Sequence, residues 1–259
     1  MTSIATPILD WPGADPPILL LHPKRTNARV WDFVVEHSGL RNRFIAADAR
    51  GHGLSSYPTH GYGYADYLDY LRALFDTLGI AKAHIVGAAT GGNLARLLTC
   101  ESPERVASLI VVDPGVSLDA QLSLAVREQM VREFRFPSLP EARARMPFSC
   151  RWSEAMKDHT SHYSFRAMDG GAVEWRYFPP GVVETEHLLE TPIWDRIAVH
   201  CPTLAIRSAS SAVFPLANMQ RRCALIPGAT SAEIEADHRV SQDNPRALAA
   251  LIDRFMGGL

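Results

Sequence analysis

The stretch Ile85-Val86-Gly87-Ala88-Ala89-Thr90-Gly91-Gly92 decides how the rest of the chain is read. It opens on two β-branched apolar residues, narrows to small ones, and runs into a helical pattern over residues 93–100. A short apolar run, then glycines, then a helical period describes a strand, a sharp turn and a helix. Small residues at 87 and 91 allow the strand and the helix to approach closely. Working outward, residues 18–21, 44–47, 109–112 and 203–206 are apolar runs of the same kind. Such runs suit strands covered on both faces, as in the centre of a parallel sheet. Between them, Leu68, Leu71, Leu74, Phe75 and Leu78 recur at helical spacing, with Gly79 as a stop. Residues 247–256 repeat the pattern after Pro245. The alternation predicts an α/β fold, a mostly parallel central sheet flanked by helices. The part before Ile18 is short and predicts one edge strand or hairpin.

The rhythm breaks over residues 115–190. No convincing apolar strand is seen there, and aromatics such as Trp152, Tyr163, Phe165 and Trp175 mix with arginines. The segment is expected to be a mostly helical cap inserted into a core made of residues 1–114 and 191–259. A chain of 259 residues fits one sizeable domain carrying such an insertion. Composition narrows the function. Apolar residues make up 47% and charged residues 21%, with a formal net charge of −2. A protein that binds nucleic acid by neutralising phosphates is usually basic, so that class loses weight. No apolar run is long enough to span a bilayer. Residues 1–12 lack a basic stretch followed by an apolar one, so no secretory signal is expected. The four cysteines lie far apart, which favours reduced thiols and a cytoplasmic location. No metal-type cluster and no Gly-x-x-x-x-Gly-Lys loop is present, so no cofactor is expected. Oligomeric state is not readable.

Four motifs in order carry a resemblance. Residues 85–92 resemble the nucleophile elbow of the α/β-hydrolase superfamily, normally Gly-x-Ser-x-Gly, with Ala89 where the nucleophile stands. Leu20-Leu21-His22-Pro23 resembles the strand end before the oxyanion loop, with Pro23 in place of a glycine. Asp48-Ala49-Arg50-Gly51-His52-Gly53-Leu54-Ser55 resembles the family's Asp-x-Arg-Gly-His-Gly-x-Ser loop, which is read here as scaffold. Ala236-Asp237-His238 lies where the family keeps its catalytic histidine. The resemblance spans the chain from about Pro17 onward.

That resemblance implies a capped serine hydrolase with His238 as base. The acid usually follows the strand at 203–206, but Arg207 to Pro215 contains no carboxylate. Asp113, directly after Val112, occupies an alternative place that some members use, so it is the candidate orienter. An aspartate before a proline also opens turns, which is the plainer role for Asp113. The oxyanion would be held by the backbone N–H groups of Thr90 and Lys24, since Pro23 has none. Candidate substrate contacts are His22, Arg25, Trp31, Trp152, His162, Arg166 and Trp175. Arginines such as Arg25 and Arg166 would grip a carboxylate or phenolate, although solvated surface positions are their common fate.

Ala89 leaves two enzymatic readings. In one, the chain is a Ser-His-Asp hydrolase of an ester, lactone, amide or C–C bond, inactivated at its nucleophile so that substrate is trapped. In the other, alanine is native, and His238 with Asp113 acts as a dyad for non-covalent hydrolysis, lyase chemistry or cofactor-free oxygenation. A ligand-binding protein without catalysis is the third. Each expects a small-molecule partner, and neither nucleic acid nor membrane.

Overall fold

Alternation within the apolar runs sends neighbouring residues to opposite faces of one sheet. The computed structural model describes residues 7–115, 128, 134–188 and 199–259, without the side chains of 186–188. Its central sheet runs in the order β1 (Ile8–Trp11), β3 (Asn42–Ala47), β2 (Ala14–Leu21), β4 (Ala83–Ala88), β5 (Val106–Val112), β9 (Thr203–Ser208) and β10 (Thr230–Ile234). Every neighbouring pair is parallel except the edge pair β1–β3. Leu19, Leu21, Ile85, Leu109 and Val111 enter one buried layer, under α2 (Tyr64–Thr77) and α3 (Thr90–Glu101). Ile18, Leu20, Val86, Ile110 and Val112 enter the other, under α1 (Asp32–His37) and α9 (Pro245–Met256). No helix among the described residues is long and apolar enough to cross a membrane.

Helix starts follow local chemistry. Gly63 N–H donates to Asp66 at 2.9 Å to open α2, and Ala247 N–H donates to Asn244 Oδ1 at 3.3 Å to open α9.

The inserted segment departs from expectation. Its described part holds α4 (Leu139–Ala144), α5 (Glu154–Ser164) and α6 (Pro179–Leu188), but also a three-stranded antiparallel sheet. The strands are β6 (Arg135–Phe136), β7 (Phe165–Ala167) and β8 (Val173–Trp175), in the order β6-β8-β7. Strands of two or three residues are too short to display a period, so none could be read from the sequence. Phe136, Met146, Phe165, Trp175, Tyr177 and Val182 form a small core of their own. The expected boundary at 190–191 lies outside the described residues. Two short helices, α7 (Leu216–Ala224) and α8 (Val240–Asp243), complete the described elements used below.

Candidate active site

Residue 89 sits at the apex between β4 and α3 with φ 47° and ψ −117°. That backbone region is costly for any residue with a Cβ. The turn is closed by Gly92 and Asn93 N–H donating to the Ala89 carbonyl at 3.0 and 3.2 Å. A Cβ at Gly87 would overlap the Gly91 carbonyl, and one at Gly91 would overlap the Leu21 carbonyl. The second overlap means that the end of β2 touches the start of α3. Residues 22–25 therefore emerge beside Thr90. Thr90 opens α3, so its N–H has no intrahelical acceptor.

Ala88 pairs with Val112 across β4 and β5, which sets Ala89 and Asp113 side by side at the strand ends. The Asp113 carboxylate is buried and accepts three hydrogen bonds. Ser208 N–H donates to Oδ1 at 3.1 Å, Ser211 Oγ donates to Oδ2 at 2.8 Å, and His238 Nδ1 lies 2.6 Å from Oδ2. A carboxylate with two other donors on it can only accept from the imidazole, so Nδ1 carries the proton. The His238 side chain is 43% exposed and that of Asp113 is 1% exposed. The imidazole is thus reachable while its carboxylate partner stays dry. Nε2 has no partner among the described residues, and it can take a proton while the carboxylate holds the resulting imidazolium. Asp237, next in sequence, points elsewhere: its Oδ2 accepts from Ser149 Oγ at 3.1 Å.

Among the described residues, Arg25, Ala89 and Asp113 are the non-glycine positions with left-handed φ, at 63°, 47° and 44°. Strain of this kind persists where surrounding structure over-determines it, and it gathers at functional sites. Here it lies in the loop after β2, at the apex and at the end of β5.

The loop at 48–55 is structural. Asp48 accepts from Ala28 N–H at 2.8 Å and Leu54 N–H at 2.7 Å. Gly53 N–H donates to Arg176 O, and Phe178 N–H donates to Gly51 O, each at 2.8 Å. The loop thereby binds the inserted segment. Further ties join that segment to the loop after β2 and to α8. Asn27 Nδ2 donates to Tyr163 O at 2.9 Å, Gln242 Nε2 to Thr160 Oγ1 at 2.9 Å, and Trp152 Nε1 to Asp243 Oδ1 at 2.6 Å.

Several expected substrate contacts are corrected. Trp31 is fully buried in the core layer beneath α1 and α9, so it packs rather than binds. His22 is buried, with Nδ1 on Pro23 O at 2.7 Å and Nε2 accepting from Ala49 N–H at 2.9 Å. Burial pulls its pKa down to about 4, and the neutral ring pins the loop. Arg166 pairs with the buried Glu174, which Arg135 also meets at 2.7 Å, so its guanidinium is held within the small sheet. Trp152 is buried and engaged with Asp243. His162 is exposed and lines a groove with Asp48 and Arg176, which adjoins the Arg25 pocket at Asn27, Arg29 and Tyr163. Arg25 and Trp175 do line a pocket beside the site, together with Arg239. Lys24 is a partly buried cation that burial, then Arg25, pulls down to about 7.

Ser208, Ser211 and Arg239 were missed by the sequence reading. The signal for the serines is available: Ser208 ends β9 and Ser211 stands in the turn after it, where the family usually carries its acid.

The family model described as alpha/beta hydrolase fold matches residues 16–245. The chain is 26% identical to 3-oxoadipate enol-lactonase 2 of Acinetobacter baylyi, over 94% of this chain and 90% of that one. It is 28% identical to an esterase of Mycobacterium tuberculosis, over 94% of this chain and 84% of the other. The solved structure of E-2-(acetamidomethylene)succinate hydrolase superposes with a TM-score of 0.87 at 23% identity, covering 97% of this chain and 95% of that one. At that identity the likeness is one of fold. Elbow, buried acid, exposed histidine and matched span agree: the chain belongs to the alpha/beta hydrolase fold family and is an enzyme of hydrolase class.

Proposed function

We propose that the chain is the alanine form of a Ser-His-Asp hydrolase that acts on a small carbonyl substrate, an ester, lactone, amide or activated C–C bond. The observation that carries this reading is the 2.6 Å hydrogen bond between His238 and Asp113, formed beside a strained apex that holds residue 89. Relatives named as a lactonase and an esterase support the substrate class. The core is assigned to residues 1–114 and 191–259, and the cap to residues 115–190.

With serine at 89, His238 Nε2 takes the hydroxyl proton as Oγ bonds to the carbonyl carbon. The oxyanion is received by the backbone N–H groups of Thr90 and Lys24. The imidazolium returns its proton to the leaving group as that bond breaks. Water then adds to the acyl carbon, gives a proton to Nε2, and the acid leaves as Oγ is reprotonated. Alanine removes only the attacking oxygen. Loss of such a nucleophile costs about six orders of magnitude in turnover while binding survives.

A second reading has one observation behind it. His238 Nε2 has no partner among the described residues, so it is available to deprotonate a water that attacks the carbonyl directly. One experiment separates the two. Ala89→Ser and the parent chain are assayed on activated esters, lactones and β-diketones, with mass spectrometry for an acyl adduct on residue 89. A gain of several orders of magnitude with an adduct supports the covalent route. Equal turnover by both forms with no adduct overturns it in favour of the dyad.

A further inference from the structure

The pocket beside the site contains no acid. Its walls include Arg25, Arg29, His159, Trp175, Arg239 and Gln242, and among the described residues no aspartate or glutamate lines it. Two of its nitrogen-bearing side chains already have a carboxylate partner. Arg29 lies 3.3 Å from Asp32, and His159 Nε2 lies 2.8 Å from the same oxygen. Arg25 and Arg239 form no ion pair with any described carboxylate. Asp243 is near Arg239, but its oxygens are taken by Trp152 Nε1 at 2.6 Å and by Asp237 N–H at 2.9 Å.

Aromatic faces hold these two guanidinium groups without neutralising them. Arg25 lies 5.9 Å from the Tyr177 ring centre, and Arg239 lies 5.7 Å from that of Trp152. Burial, then the neighbouring Arg25, pulls Arg239 down to about 10. Arg25 also holds a left-handed backbone to stand where it does. Burial and the repulsion from Arg25 outweigh the nearby Asp243 charge at Arg239, so an anion received between the two guanidinium groups is favoured. Position supplies the link to chemistry. Arg239 follows the base His238, and Arg25 follows Lys24. Both arginines thus stand on the two loops that carry the proposed base and the proposed oxyanion donor.

We propose that Arg25 and Arg239 form a carboxylate-binding subsite, and that the substrate is a carbonyl compound carrying a free carboxylate near its scissile bond. This rests on the hydrolase reading above for its second half; the subsite itself is testable by binding alone.

The chain is titrated calorimetrically with monomethyl glutarate and with dimethyl glutarate, which differ by one negative charge. The monoester is expected to bind about tenfold or more tightly than the diester, the worth of a charge-assisted bidentate contact. Arg239→Gln and Arg25→Gln should each abolish the preference, and Arg239→Lys should restore part of it. Circular dichroism checks each fold; if Arg25→Gln unfolds, the Arg239 pair decides. Equal binding of the two esters, or a preference that survives Arg239→Gln, overturns the subsite. Hydrolysis by Ala89→Ser is measured separately. A persistent anion preference without hydrolysis of any ester defeats the hydrolase reading and leaves the subsite standing. Hydrolysis without anion preference does the reverse.

Discussion

The Ser211 hydroxyl donates to Oδ2 of Asp113 at 2.8 Å, the same oxygen that His238 Nδ1 meets at 2.6 Å. The turn after β9 thus supplies donors to a carboxylate that comes from the end of β5. Ser211 Oγ also accepts from Phe214 N–H at 3.0 Å, so one hydroxyl joins the acid to its turn.

In the Ala89→Ser protein, Asp113→Asn is expected to lower kcat by about four orders of magnitude, because an amide can favour the wrong imidazole tautomer. Ser211→Ala should cost about tenfold, the scale of one hydrogen bond to a charged group. Steady-state kinetics on a substrate of the serine form checks both. A smaller loss for Asp113→Asn than for Ser211→Ala contradicts the assignment.

Ala89→Gly is expected to stabilise the parent chain by about 1 kcal/mol. The left-handed apex at φ 47° strains alanine and not glycine, and this outweighs the greater freedom of unfolded glycine. Urea denaturation measures it, and a destabilised glycine variant would show that the apex carries no strain.

Gly91→Ala should destabilise by more than about 2 kcal/mol, since the new methyl overlaps the Leu21 carbonyl and neither backbone can give way. Gly79→Ala is the control. Its φ is 64°, but nothing lies within 4 Å, so only backbone strain of about 1 kcal/mol is expected.

Stability should fall in mild acid. Burial lowers the pKa of His22 to about 4 and that of His52 to about 3, where His22 is the next cause. Both rings stay neutral in the fold, while the unfolded chain protonates near pH 6.5. The stabilisation is therefore present above about pH 6.5 and is lost as pH falls toward about 4. At about pH 5 the loss is on the order of 2 kcal/mol per histidine. The rings lie 5.3 Å apart, so the two losses are coupled rather than independent. Urea unfolding at about pH 7.5 and about pH 5 tests this. His22→Gln should flatten the difference, and an unchanged slope would refute the linkage.

Trp152→Phe should loosen the attachment of the inserted segment. It strips Asp243 Oδ1 of its indole donor inside a buried contact, at a cost of about 1–3 kcal/mol. Faster amide exchange at Asp237, whose N–H also rests on Asp243, is the local readout.

The central strands were legible because a run such as Ile18 to Leu21 reports burial on both faces, and burial is a property of residue type. The elbow was legible for a related reason. Glycine at 87 and 91 records where backbones touch, and no other residue tolerates that contact. What residue type does not record is the partner. Arg166 reads as a substrate contact, but the antiparallel register of β7 on β8 sets it opposite Glu174, which binds it together with Arg135. Trp31 was read the same way and lies in the core, since an indole serves packing and binding alike. Asp113 and His238 stand 125 residues apart in sequence, and Arg25 and Arg239 further still. Their meeting depends on the order in which parallel strands line up. Chain-local physics accounts for strands, helices and the tight turn, because propensity, periodicity and steric room act over a few residues. The acid's three donors, the corrected contacts and the acid-free pocket arise when strand ends from distant parts of the chain converge on one edge of the sheet, where distance in space no longer follows distance in sequence.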